Sequence, residues 1–254
     1  MRTFWENRWE AGTGVNEFQR ARLHVIREKF PSDAPAVLDI GCGTGWLLEG
    51  LRSLYRFGVG MDFALAGLRK LQGHRVAGAC TLLPFRANSF DLALCAEIIE
   101  HLDDASLEQL LAEVRRVTRR YILVTTPHAE KRALNLVRCN RCLAVFHSSL
   151  HVRSFTEQVL RQRMSAAGFR PVWIKTAGVA FNRPLLPAKL NQLLTGYYCV
   201  WEPNLSCPVC GNRRIEHRRA RENPVSLFLE GLGQLISLFR PRTPHSLCGL
   251  FEKS

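Results

Sequence analysis

From residue 36 to residue 125, short apolar runs alternate with stretches whose apolar residues recur at helical spacing. Residues 36–40, 57–61, 75–79, 90–95 and 121–125 are runs of strand length. Residues 44–54, 64–71 and 105–117 lie between them and read as helices. That alternation predicts a parallel sheet with helices on both faces, because strands covered on both sides need no polar face of their own. A leading helix is expected over residues 16–30, where Leu23, Ile26 and Phe30 fall at helical spacing and Pro31 stops the chain. The regularity ends after Thr126-Pro127-His128. Beyond it, a helix over residues 155–167, a strand over 169–175 and a last strand over 246–252 are expected.

Val37-Leu38-Asp39-Ile40-Gly41-Cys42-Gly43-Thr44-Gly45 is the most informative stretch. An apolar strand ends next to a carboxylate and breaks into a glycine loop, and a helical pattern follows. Glycine lets the backbone turn sharply and lets a ligand approach without a Cβ in the way. The spacing is Gly-x-Gly-x-Gly, which differs from the dinucleotide fingerprint. Three further segments follow in order. Phe57-Gly58-Val59-Gly60-Met61-Asp62 is a second strand ending in an acid, about twenty residues beyond the loop, where a carboxylate bonds ribose hydroxyls. Leu82-Leu83-Pro84-Phe85 precedes the next apolar run, and Glu97-Ile98-Ile99-Glu100-His101-Leu102 comes after it.

On these four features the chain resembles the class I S-adenosylmethionine-dependent methyltransferases over roughly residues 36–176. The resemblance implies a Rossmann-like α/β fold with a seven-stranded, mostly parallel sheet, whose last strand inserts antiparallel near an edge. It implies a cofactor site made by Asp39, Gly41, Cys42, Gly43, Gly45, Asp62, Phe63, Cys80 and Cys95. One departure stands out: Gly78-Ala79-Cys80 occupies the place where the family often has Gly-Asp-Ala, and Ala79 cannot accept a bond from the adenine amino group. For proton removal from an acceptor hydroxyl, histidine is the best-matched side chain near neutral pH. His101 and His128 are the candidates, with packing or positioning as the other reading of each. His151 precedes the substrate-side helix and reads equally as a cap or as a neighbour of a metal. The aromatic segment Phe4-Trp5-Glu6-Asn7-Arg8-Trp9 is either a lid over the site or a simple anchor.

Composition adds a metal and a charge. Of nine cysteines, Cys42, Cys80 and Cys95 lie in or beside apolar strands, and Cys199 and Cys248 lack an evident partner. Cys139-Asn140-Arg141-Cys142 and Cys207-Pro208-Val209-Cys210-Gly211 are two Cys-x-x-Cys knuckles, which together supply the four sulfurs of a structural zinc site. His147 or His151 stands in reserve as a replacement ligand. The expected organisation is a cofactor-binding core with its leading helix over residues 1–130, a first cysteine insertion over 131–154, and a helix and strand completing the core over 155–180. A second cysteine insertion with an amphipathic helix spans 181–245, and the final strand spans 246–254.

The net charge of +13 draws the chain toward polyanions. Arg115, Arg116, Arg119 and Arg120 are partly explained by the dipole of the helix they end. No apolar run reaches the length of a membrane span, and residues 225–239 read either as a partly exposed helix or as one lying on a membrane surface. With no signal peptide legible, a cytoplasmic protein is expected. The acceptor is expected to be a small molecule, a lipid or a glycan. RNA is the alternative that the charge keeps open, and a non-catalytic polyanion- or partner-binding module is the rival outside enzymes.

Overall fold

The structure, a computed structural model, describes residues 2–11, 14–180, 185–195, 205–213, 224–239 and 242–254. Cys199 and parts of the 181–245 segment lie outside the described residues.

Five parallel strands form the body of the sheet: β1 (Ala36–Ile40), β2 (Phe57–Asp62), β3 (His74–Ala77), β4 (Phe90–Ala96) and β5 (Thr118–Pro127). Strands β8 (Phe169–Ala180) and β9 (Thr243–Lys253) complete it in the order β3-β2-β1-β4-β5-β9-β8, with β9 running antiparallel to both its neighbours and β8 in the direction of the first five. The last strand of the chain thus slots between β5 and β8, next to the edge.

The two-residue period of the strands divides the core. Leu38 and Ile40 of β1, Ala93 and Cys95 of β4, and Ile122 and Val124 of β5 point to one face. There they meet Leu107, Leu110 and Val114 of α5 (Asp104–Val117), and Leu160 and Met164 of α6 (Glu157–Ala166). Val37, Leu92, Leu94 and Leu123 point to the other face. Ile26 of α2 (Glu17–Glu28) and Leu47 and Leu48 of α3 (Trp46–Gly50) cover them. Local chemistry starts these helices where the sequence places them. Asn16 and Gln19 form a reciprocal capping box on α2, and the Asp103 and Thr156 side chains cap α5 and α6.

Four elements go beyond the sequence reading. The N-terminal aromatic segment is a helix, α1 (Arg2–Ala11). A small hairpin, β6 (Leu136–Arg138) with β7 (Val145–His147), frames the first cysteine knuckle. A helix α7 (Leu185–Thr195) precedes α8 (Pro224–Leu238). The helix expected over residues 64–71 is only α4 (Leu65–Leu68), because the chain tightens so that the Leu71 N–H bonds Leu68 O. The side chain of Leu71 then tucks beneath Gly45 and Gly60.

Candidate active site

Gly41, Gly43 and Gly45 all have positive φ, at 67°, 55° and 81°. A side chain at any of them is strained, and the space is taken as well. A Cβ on Gly41 would lie 2.5 Å from Ile98, one on Gly43 would lie 2.6 Å from the Trp9 ring, and one on Gly45 would lie 2.1 Å from Leu71. The loop is pinned to β2: the N–H groups of Gly41 and Cys42 both donate to Met61 O.

Asp62, at the end of β2, completes the turn. Its Oδ2 accepts from Gly43 N at 2.9 Å and its Oδ1 from Ala64 N at 2.8 Å. Burial raises its pKa, and the Ala64 and Gly43 N–H groups work against that rise. Asp39 is deeper, 2% exposed, and its Oδ2 has no partner among the described residues. Burial, with the charge of Asp62 added, pushes Asp39 up to about 8. In the unfolded chain this carboxyl ionises near pH ~4, so the folded state holds its proton over a wider range. Stability is therefore expected to fall as pH rises from about 4 to about 8. Asp39→Asn removes that decline, and melting curves of both proteins without nucleoside across this range measure it. Equal slopes would contradict the assignment.

In front of Asp62 and the glycine turn opens a cavity of about 970 Å³. Gly41, Cys42, Asp62, Phe63, Gly78 and Cys80 line one end. His101, His128, Glu130 and His151 line the other. The remaining residues expected at the cofactor lie behind this wall. Asp39, Gly43 and Gly45 support it, while Cys95 is fully buried in the core, with its neighbour Ala96 reaching the cavity. Ala79 contributes nothing to the wall, but Gly78 and Cys80 on either side of it do.

Helix α1 roofs the end of the cavity at the glycine turn. Trp9 lies against Gly43, and Trp5 stacks on Trp9 with ring centroids 6.1 Å apart. Glu6 accepts from Leu65 N and Ala66 N at 2.9 and 2.8 Å, so a side chain of α1 caps α4. The Trp5 ring meets His101 edge-on at 5.0 Å. Burial drives His101 down to about 3, and the nearby His151 adds to the effect. His101 is therefore neutral and weakly basic, which favours its positioning role. His128 is half-buried and is fixed through its backbone, donating from N to His245 O.

A second group of titratable side chains is not legible as a set in the sequence. Glu130 Oε2 lies 2.5 Å from His151 Nδ1, and Glu130 Oε1 lies 3.2 Å from His147 Nε2 and 2.8 Å from Asn135 Nδ2. Burial opposes ionisation of Glu130, but the two histidines outweigh it and hold the carboxyl well below the usual carboxylate range. The only hint in the sequence is the density of histidines next to the first knuckle.

The four knuckle cysteines converge. Cys139 Sγ is 3.7 Å from Cys210 Sγ, and Cys142 Sγ is 3.6 Å from Cys207 Sγ. All four sulfurs lie within 4.8 Å of one another. A tetrahedral zinc with Zn–S bonds of about 2.3 Å requires sulfurs about 3.8 Å apart, so the donor set fits that ion. The two turns repeat one geometry. In each, the first cysteine's carbonyl accepts from the residue four on (Leu143, Gly211), and its N–H donates to the residue five on (Ala144, Asn212). Leu143 and Gly211 both adopt positive φ. The histidines held in reserve are unnecessary here, since His147 and His151 group with Glu130 instead. Phe4 of α1 shares one buried apolar cluster with Cys139, Cys207, Val137 and Leu205, with Trp5 packed against it. The cysteine cluster and the roof of the cavity are thus directly joined.

Residues 38–121 match the family model described as a methyltransferase domain. An uncharacterized protein of Methanocaldococcus jannaschii is 32% identical over 104 residues, 41% of each chain. A ubiquinone biosynthesis O-methyltransferase of Hahella chejuensis is 30% identical over 115 residues, covering 41% of this chain and 48% of that protein. The chain spans about half the length of the curated relatives it matches. A solved S-adenosylmethionine-dependent methyltransferase from Archaeoglobus fulgidus superposes with a TM-score of 0.54 at 17% identity, covering 93% of this chain and 96% of that one. The fold is therefore the Rossmann-like α/β fold of these enzymes.

Proposed function

We propose that this chain transfers a methyl group from S-adenosylmethionine to a hydroxyl of a small molecule, lipid or glycan. One observation carries the reading: the positive-φ glycine turn and the Asp62 carboxylate open together onto a single large cavity at the carboxyl ends of β1 and β2. Asp62 would take the ribose hydroxyls, and the glycine turn would let the rest of the nucleoside lie against backbone. Gly78 and Cys80 would meet the adenine edge, with Ala79 offering nothing to its amino group. When bound, the sulfonium supplies an already activated methyl, so the protein's work is alignment and exclusion of water. The methyltransferase-domain match and the name of the Hahella relative support the reaction class and favour oxygen as the atom methylated. Calorimetry with S-adenosylhomocysteine, followed by transfer of labelled methyl from S-adenosylmethionine into fractionated cell extract, tests it. Absence of nucleoside binding leaves the non-catalytic module as the better reading.

The cysteine cluster reads as a structural zinc site, since four sulfurs leave no open coordination position. Burial opposes ionisation of Cys139, but the N–H groups of Cys142 and Arg141 outweigh it and lower its pKa. At Cys142 the Ala144 N–H is outweighed by burial and the neighbouring sulfurs, which push the thiol up to about 12, so a bound cation would be needed to hold all four as thiolates. Reduced thiols fit a reducing compartment such as the cytoplasm.

An apolar surface favours an acceptor met at a membrane. Among the described residues no helix is long and apolar enough to cross one. Yet Leu193 of α7, Phe228 of α8 and Phe239 just beyond it are 80%, 69% and 83% exposed. In the sequence, Arg213, Arg214, Arg218, Arg219 and Arg221 precede α8, and Arg240 and Arg242 follow it. Exposed apolar area on α8, with an arginine-rich sequence on either side of it, suits an anionic lipid surface. Sedimentation with phosphatidylglycerol vesicles is expected to carry down the protein at low salt and to fail with Phe228→Glu. Equal recovery on phosphatidylcholine would count against the anionic surface.

A further inference from the structure

We infer that His151 is the general base that takes the acceptor's proton, held for that task by Glu130 and His147. The inference rests on the methyltransferase reading and assigns a residue to its acceptor end.

The tautomers follow from the hydrogen bonds. His147 Nδ1 accepts from Ser149 N at 3.2 Å and from His151 N at 3.3 Å, so the ring's proton sits on Nε2, which faces Glu130 at 3.2 Å. A nitrogen that carries a proton cannot bind a cation. A cation on His147 Nε2 would drive the proton to Nδ1 and break both contacts from Ser149 N and His151 N, which favours a proton-holding array over a metal site, although the donor atoms lie close enough for one. Glu130 is left with one oxygen toward His147 and Asn135 and the other toward His151 Nδ1 at 2.5 Å. A carboxylate there selects the Nδ1–H tautomer of His151 and leaves its Nε2 with a free lone pair. This is the carboxylate–imidazole pairing that activates histidine bases generally.

Position agrees with this role. His151 lines the cavity and is tied down from two sides. Arg132 Nε donates to His151 O at 3.1 Å, and the next residue, Val152, donates from N to Glu100 O at 2.8 Å. The titratable groups facing it are Glu130, His147 and His101, with ring centroids 4.6 Å to His147 and 4.8 Å to His101. Glu100 lies beside His101 in the same group. His101, driven down by burial, cannot compete for the proton.

The step balances. The acceptor O–H bond breaks and its proton goes to His151 Nε2. The oxygen's electron pair forms the new O–CH3 bond, and the S–CH3 pair returns to sulfur, leaving the neutral thioether. The imidazolium then gives its proton to water.

Two measurements test this together. The first is 15N NMR of the histidine rings in the intact protein, which reads tautomers without any acceptor. The second is the initial rate of labelled methyl transfer into the lipid fraction of a cell extract, from pH 5.5 to 9, for wild type, His151→Ala and Glu130→Gln, with S-adenosylhomocysteine affinity measured for each. Expected are an Nδ1–H tautomer at His151 and an Nε2–H tautomer at His147. His151→Ala should lose about 100-fold or more in rate, with nucleoside affinity within about threefold. Glu130→Gln removes the carboxylate that holds the Nδ1–H tautomer, so the Nε2–H tautomer gains population at His151 and the rate falls while nucleoside affinity stays within about threefold. An Nε2–H tautomer at His151, or a His151→Ala rate within threefold of wild type, overturns the assignment while leaving the methyltransferase reading in place. A wild type that ignores the nucleoside and transfers no methyl overturns both.

Discussion

Asp62→Ala is expected to weaken S-adenosylhomocysteine binding by about 100-fold or more. Two charge-assisted hydrogen bonds to ribose are each worth roughly 1.5–3 kcal/mol, and their loss together exceeds a factor of 100. The change reaches further than the ligand. The N–H groups of Gly43 and Ala64 both lose their acceptor, so the glycine turn is released from β2's end at the same moment. Asp62→Asn keeps the shape and one acceptor oxygen, and belongs between wild type and alanine. Isothermal titration of the three proteins decides the matter, with melting temperatures recorded beside it. An alanine variant that binds within threefold of wild type would remove Asp62 from the cofactor site.

Removing the metal should have the second large effect. Purified protein should carry about one equivalent of zinc per chain. Chelation, or the double change Cys139→Ser with Cys207→Ser, should lower the melting temperature by roughly 10 °C or more. The apparent free energy of a structural zinc, about 10 kcal/mol or more, rivals the whole stability of a domain. Nucleoside affinity should fall too, by about tenfold or more, although none of the four knuckle cysteines lines the cavity. Phe4 packs among the cysteines, while Glu6 and Trp9 of the same helix hold α4 and the glycine loop. Less than half an equivalent of zinc, with melting unchanged by chelation, would sink the assignment.

The core was legible because its strands are buried on both faces. Residues 36–40 are β1 to the residue, since an apolar run bounded by Pro35 and Gly41 admits little else. The ends of β8 and β9 were not legible. They run on to Ala180 and from Thr243 because each supplies the other's hydrogen bonds, a tertiary fact that propensity does not carry. The helix expected at residues 64–71 ends early for a similar reason: after Leu68 the chain tightens and Leu71 packs beneath Gly45 and Gly60, a contact that helical spacing does not carry. At the site, glycines and acids announce themselves by spacing. Glu130, His147 and His151 do not, because Glu130 stands before the hairpin and the two histidines stand at and beyond its end. Their meeting depends on how that hairpin folds back.

The seating of α1 bears on how the molecule is made. Phe4 finds its neighbours Leu205 and Cys207 about two hundred residues further along the chain, so α1 cannot seat itself until those residues have been joined. This helix thus docks later than the strands that follow it in the sequence, and the cavity gains its roof only once the segment around Leu205 has emerged.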